Sequence, residues 1–169
     1  MVEYAKRNLF KGNISPSAPE TLLPWLNETD SFFDACTQCG KCVERCETHI
    51  IKLRSGGFPH VDFASGECTF CYQCADVCPE PLFKSRDASP WDYKADINEH
   101  CLANRNIECR SCSDACEPMA IQFQLTIGHA AIPLIDLNQC NGCGACVSLC
   151  PTSSIKVTLS NKEESVYGT

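Results

Sequence analysis

Three stretches of this chain, CTQCGKCVERC (36–46), CTFCYQCADVCP (68–79) and CNGCGACVSLCP (140–151), share the spacing C-x2-C-x2-C-x3-C. No other feature limits the possible folds as tightly. Three thiolates on one tight loop can grip three irons of a cubane, while the fourth, at the start of the following helix, points towards a neighbouring cluster. Zinc is the competing reading. It takes four tetrahedral ligands, usually from two separated knuckles, and leaves no role for a third cysteine at x2 and a fourth at x3. The spacing therefore predicts 4Fe-4S clusters.

A further stretch, CLANRNIECRSCSDACEP (101–118), keeps Cys109, Cys112 and Cys116 in register but separates Cys101 from Cys109 by seven residues instead of two. Lengthening a loop from two to seven residues costs only about 1 kcal/mol of closure entropy. Losing a thiolate ligand costs far more. The sixteen cysteines divide into four sets of four only if this motif works, and Cys116 is followed by EPMAI, close to the usual CPxxAI. We read it as a working motif whose long first loop leaves one cluster edge more exposed and more labile, with a degenerate structural remnant as the alternative. Arg105 and Arg110 beside it could contact a sulfide or a partner carboxylate, or simply be solvated.

Compartment bears on the chemistry. Past the basic AKRNLFKG the N-terminal region is broken by Pro16, Pro19 and Pro24. It has no secretory apolar stretch, and no apolar run is long enough to span a membrane. A cytoplasmic chain with no membrane insertion is expected, and there thiols are kept reduced as metal ligands instead of disulfides. The formal charge of −7, lowered to about −15 by four oxidised all-cysteinate clusters, argues against a nucleic-acid partner. Lys6, Arg7 and Lys11 form the one basic cluster near the start. No phosphate loop, dinucleotide fingerprint or nucleophile with its base is present, and His49, His60, His100 and His129 are scattered. The chain is not expected to be an enzyme.

The segments between motifs indicate which motifs pair. Ile50, Ile51 and Leu53, a Gly56-Gly57 turn, then Val61 and Phe63 predict a β-hairpin between motifs one and two. Ile121, Phe123 and Leu125 alternate with Gln122 and Gln124, turn at Gly128 and return through Ile132 to Ile135, which predicts a second hairpin between motifs three and four. KSRDASP reads as a linker. After it Trp91, Tyr93, Ala95 and Ile97 alternate with polar residues as a strand whose natural mate is Ile155, Val157 and Leu159. The expected fold is α+β: two tandem ferredoxin-like domains, each built around a pair of 4Fe-4S clusters, loop-rich with short hairpins and short helices. We place an N-terminal extension at 1–29, the first domain at 30–84, the linker at 85–90, the second domain at 91–160 and a polar tail at 161–169.

With consecutive pairing the fourth cysteine of each motif crosses over. Cys36, Cys39 and Cys42 then join Cys78, and Cys68, Cys71 and Cys74 join Cys46. Likewise Cys101, Cys109 and Cys112 join Cys150, while Cys140, Cys143 and Cys146 join Cys116. The nested pairing, one with four and two with three, stays open. Phe70 and Tyr72, inside motif two, are expected to shield its cluster from water. Units of this size bury too little apolar surface to fold without a staple, so the clusters should act as the core.

CTQCGKCVERCE, GGFPHVDF, ECTFCYQCADVCPEPLF, Trp91-Asp92, CLA followed by ECRSCSDACEPMAI, and CNGCGACVSLCP together resemble the NapF family of ferredoxin-type accessory proteins encoded with periplasmic nitrate reductases. The likeness covers essentially the whole chain. The cysteine motifs alone identify only a polyferredoxin; the long third loop with its Cys-Glu-Pro ending and CPEPLF carry the specificity. The resemblance implies a cytoplasmic protein that contacts the precursor of the periplasmic nitrate reductase catalytic subunit before export and helps mature it. KRNLFKG is similar to a weakened twin-arginine signal without its hydrophobic region, so Lys6, Arg7, Leu9 and Phe10 are a candidate partner-binding element, with a plain basic tail as the alternative. The other functional class is a general electron-transfer ferredoxin working between respiratory redox subunits.

Overall fold

The structure, a computed structural model, describes residues 21–27 and 29–160. The candidate partner element at Lys6, Arg7, Leu9 and Phe10 lies outside the described residues.

Among the described residues, three two-stranded antiparallel sheets organise the chain. Strand β1 (Ile51–Leu53) pairs with β2 (Pro59–Val61), Ile51 opposite Val61 and Leu53 opposite Pro59. Strand β4 (Ile121–Gln124) pairs with β5 (Ile132–Ile135), Ile121 opposite Ile135. These are the two expected hairpins. Strand β3 (Tyr93–Ile97) pairs with β6 (Ile155–Leu159), Ile97 opposite Ile155, as the period-two pattern predicts.

Four residues expected in strands are not there: Ile50 and Trp91 lie just ahead of β1 and β3, and Phe63 and Leu125 fall beyond the ends of theirs. Phe63 belongs to a 3-10 turn, Phe63–Ser65, because the Asp62 carboxylate accepts a hydrogen bond from the Ala64 amide at 3.0 Å and curls the chain out of the ladder. Leu125 lies past the end of its strand and is 81% exposed. The ladder ends at Gln124 opposite Ile132, so Leu125 has no cross-strand residue to pack on.

A helix, α1 (Thr29–Ala35), precedes motif one. Four single-turn helices follow inside the motifs: α2 (Lys41–Arg45), α3 (Gln73–Asp76), α4 (Ser111–Asp114) and α5 (Ala145–Ser148). Helices this short do not persist alone in water and are held by their tertiary contacts. Each carries the third cysteine of its motif, and α2 packs against α3 as α4 packs against α5. The helices thus pair within each half.

The apolar core is in two parts. One gathers Leu23, Ile50, Ile51, Val61, Phe63, Cys74 and Val157; the other gathers Ala95, Cys112, Ile121, Cys146 and Ile155. Val157 comes from the last strand yet sits in the first part, and Val147 packs against both. The halves are fused along a common seam.

Residues 21–27, assigned from sequence to the extension, are built into that core, with Leu23 3% and Trp25 4% exposed. Trp25 also fastens the linker. Its amide donates to Pro90 O at 2.6 Å, its indole Nε1 donates to Ala88 O at 2.9 Å, and its carbonyl accepts from the Lys84 amide at 2.7 Å. The polar 85–90 stretch is therefore strapped down on a buried tryptophan, whose burial its local sequence does not announce. Among the described residues, no helix is long and apolar enough to cross a membrane.

Candidate metal centres

The loops that carry the cysteines have a repeated backbone. In motifs one, two and four the residue before the second cysteine is left-handed, at Gln38 (φ 56°), Phe70 (φ 53°) and Gly142 (φ 73°). So is the residue after it, at Gly40 (φ 76°), Tyr72 (φ 69°) and Gly144 (φ 83°). Two left-handed residues around one cysteine curl the loop about a centre lying inside it. The conformation recurs three residues beyond the fourth cysteine, at His49, Met119 and Ser153, where each amide donates back to that cysteine's carbonyl at 2.9 to 3.1 Å. Motif two has Pro81 at this position, whose ring holds φ negative.

At Gly142 and Gly144 the absence of a side chain is itself required. A Cβ on Gly142 would run into the Tyr93 carbonyl, and one on Gly144 into the Phe63 ring. Motif three is built differently. Arg110, directly after Cys109, has φ −132°, and the long loop closes through a 3-10 turn, Ala103–Arg105, with Ala103 buried and Asn104–Glu108 exposed.

Three cavities lie where these loops curl. One, of about 400 Å³ counted out to its open mouth, is bordered by Cys36, Cys39, Cys42 and Cys78. A second, also about 400 Å³, is bordered by Cys46, Cys68, Cys71 and Cys74. A third, of about 320 Å³, is bordered by Cys116, Cys140, Cys143 and Cys146. In each, three thiols come from one motif and the fourth from the other motif of the same half. Cys101, Cys109, Cys112 and Cys150 remain. Burial, then the charges of Cys101 and Cys109, push the Cys112 thiol up.

Among the described residues, no three or more His, Cys, Asp or Glu side chains converge closely enough to hold a single metal ion. The thiols are arranged around a volume, which suits a multi-iron cluster and not one zinc. No histidine borders the three cavities.

Burial dominates the acidity of the inner thiols. It pushes Cys42 and Cys112 up to about 11, and Cys68, Cys74 and Cys146 up to about 12, with neighbouring cysteines adding to the rise. These thiols are protonated at neutral pH in the metal-free chain, so iron binding releases protons. Cys39 is the exposed one, and the Lys41 backbone amide holds it below the usual range. At Cys150 burial pushes the thiol up, but the Ser154 and Thr152 amides and the Thr152 hydroxyl outweigh it and hold the group low.

Sulfur atoms also receive directed hydrogen bonds. Ala120 N donates to Cys116 Sγ at 3.2 Å, Ser154 N to Cys150 Sγ at 3.2 Å and Ala95 N to Cys140 Sγ at 3.5 Å. Thr48 and Thr152 hydroxyls lie 3.6 and 3.7 Å from Cys46 and Cys150 Sγ. Such contacts stabilise negative charge on sulfur and tune a cluster's potential. Curled loops, walls of four thiols and amides aimed at sulfur together fit 4Fe-4S clusters. When bound, the cluster supplies one-electron redox chemistry.

Phe70 and Tyr72 meet Trp25 edge-on, with ring centroids at 6.1 and 5.0 Å, and Tyr72 and Trp25 both line the second cavity. Sequence reasoning did not find Trp25, Leu23 or Phe32 as cavity residues; all three lie outside any motif, in an apolar stretch preceding the first cysteine. The two arginines of the third motif are occupied elsewhere. Arg105 contacts His100 Nδ1 at 2.7 Å, while Arg110 pairs with Glu108 at 2.7 Å and lies 5.2 Å from the Phe123 ring centroid.

The family model described as "4Fe-4S dicluster domain" matches twice, over residues 35–81 and 107–154. All eight cysteines of the first half fall within the first match; in the second half, only Cys101 falls outside. The chain is 40% identical over 154 residues to the ferredoxin-type protein NapF of Escherichia coli (strain K12), covering 91% of this chain and 94% of that protein. It is 48% identical over 132 residues to NapF of Haemophilus influenzae, covering 78% and 75%. With the ferredoxin-type protein NapG of E. coli (strain K12) it shares 30% identity over 146 residues, covering 74% and 63%. Two dicluster domains and sixteen cysteines fit four 4Fe-4S clusters.

Proposed function

Because this chain belongs to the NapF family of ferredoxin-type proteins, we propose that it is an accessory factor of periplasmic nitrate reductase. It acts in the cytoplasm on the precursor of the catalytic subunit before export, by electron or iron–sulfur transfer. Its clusters are held by four crossed sets. Cys36, Cys39, Cys42 and Cys78 form site one, and Cys46, Cys68, Cys71 and Cys74 form site two. Cys101, Cys109, Cys112 and Cys150 form site three, and Cys116, Cys140, Cys143 and Cys146 form site four.

The observation that carries this reading is the grouping of three of these sets, four thiols each, around separate cavities, in a chain with NapF relatives over nine-tenths of its length. The chain's own part is to hold soft thiolates around each site, aim amides at their sulfurs and keep water off with Trp25 and Tyr72. The exposed loop of site three supports an exchange with a partner over simple storage of electrons. Lys6, Arg7, Leu9 and Phe10 supply a partner contact that imitates an export signal, and deleting residues 1–13 should weaken capture of the precursor.

Anaerobic affinity purification of the tagged protein, followed by mass spectrometry, tests the proposal. Recovery of a nitrate reductase catalytic subunit with its signal peptide uncleaved is the expected result. Respiratory redox subunits in its place would sink the maturation reading and leave a general electron-transfer ferredoxin, a role that paired sites also suit.

A further inference from the structure

The two halves meet at their cluster loops. The Cys68 amide donates to the Cys143 carbonyl at 2.8 Å, which ties a residue of the second cavity's wall to one of the third cavity's wall. The 3-10 turn Phe63–Ser65 of the first half packs on α5 of the second. Phe63 fills the space above Gly144 that a side chain there would need. Trp91 closes the seam, standing 6.1 Å from Phe63 and 5.7 Å from Phe70 in edge-on contact, with its indole Nε1 donating to Asn141 O at 2.9 Å. Inside each half the neighbours are set by the helices: α2 with Cys42 lies on α3 with Cys74, and α4 with Cys112 lies on α5 with Cys146.

We infer that the seam formed by Phe63, Trp91 and the hydrogen bond from the Cys68 amide to the Cys143 carbonyl positions sites two and four as neighbours, so that the four sites run in the order one, two, four, three. The order differs from that of the chain. It makes the two dicluster halves one electrical path, in which each hop oxidises one cluster and reduces the next by one electron. The path would end at site one, whose Cys39 is exposed, and at site three, whose motif carries the exposed residues 104–108. A partner docking at one end then exchanges electrons with a partner at the other across the whole molecule.

The inference rests on the crossed ligand sets proposed above. Iron anomalous diffraction from crystals of the anaerobic holoprotein tests both separately. The expected result is four clusters, with the shortest distance between halves joining the cluster on Cys46, Cys68, Cys71 and Cys74 to that on Cys116, Cys140, Cys143 and Cys146. Four clusters with any other pair nearest across the seam overturn the order alone. Fewer than four clusters, or different ligand sets, overturn the ligand assignment and the order with it.

In solution, electron paramagnetic resonance of the fully reduced holoprotein should show spin–spin broadening between the halves. Replacing both seam aromatics, Phe63→Leu with Trp91→Leu, should weaken that broadening while the coupling inside each half persists. Unchanged broadening in a variant that keeps four clusters would speak against the seam. If the double variant does not fold, the diffraction result on the native protein decides.

Discussion

At the scale of single residues, the motif backbone asks for left-handed conformations that side chains resist, and the chain meets that demand unevenly. Gly142 and Gly144 occupy it without penalty, whereas Gln38, Phe70 and Tyr72 carry side chains at the equivalent places. A side chain in this region costs about 1–2 kcal/mol. Gln38 is exposed and lies outside the apolar core, so Gln38→Gly should stabilise the holoprotein by about 0.5–1 kcal/mol, the strain relief less the added freedom of the unfolded chain. Tyr72→Gly should destabilise it despite the same relief. It loses the Trp25 contact at 5.0 Å and the hydroxyl hydrogen bond to the Lys84 carbonyl, and burying an aromatic ring is worth about 1.5–3 kcal/mol. Melting curves of the two variants with opposite shifts would bear this out. Cys101→Ser should lower iron by about one cluster per chain while leaving the first half's eight cysteines loaded. Unchanged iron content would remove Cys101 from the ligand set.

At the scale of elements, α1 and the hairpins show how little of this molecule is ordinary core. Phe32, on α1, is 2% exposed, lines the first cavity and packs against Phe33 and Phe58 at ring-centroid distances of 5.2 and 6.1 Å. Phe32→Ala should cost about 3–5 kcal/mol and release the first cluster preferentially, read as a loss of iron and of visible absorbance in mild chelator. Ile127, at the tip of the second hairpin, is fully exposed, and Ile127→Ser should shift stability by no more than about 0.5 kcal/mol. The hairpins and third strand pair were legible because alternation and turn glycines are local signals, whereas the single-turn helices end before the fourth cysteine of each motif instead of starting at it, and α1 carried no such signal. Phe63 was misplaced by sequence because the Asp62 cap that turns it out of the strand is a single side-chain hydrogen bond that leaves no periodic trace.

For the whole molecule, cluster binding and folding are expected to be the same event. With sites one, two and four forming much of the interior, removing iron leaves buried thiols facing empty space and helices of a single turn that have no stability of their own. Metal-free protein, kept reduced, should therefore be largely unfolded by circular dichroism. A compact form that melts cooperatively would show that the shared apolar seam suffices without the clusters. That outcome is worth testing because the seam recruits Leu23, Phe63 and Val157 from distant parts of the chain.

By itself the sequence determined the chemistry: cysteine spacing is a local property, read along a loop of eleven residues, and it specified 4Fe-4S clusters and two hairpin units while leaving consecutive or nested pairing of the motifs open. The tertiary structure alone decided how the halves sit. Trp25 reaching the 85–90 stretch, Phe63 over Gly144 and the Cys68 amide donating to the Cys143 carbonyl join residues dozens of positions apart. Such contacts depend on shape complementarity between surfaces that exist only once each half has folded, and neither periodicity nor spacing encodes them.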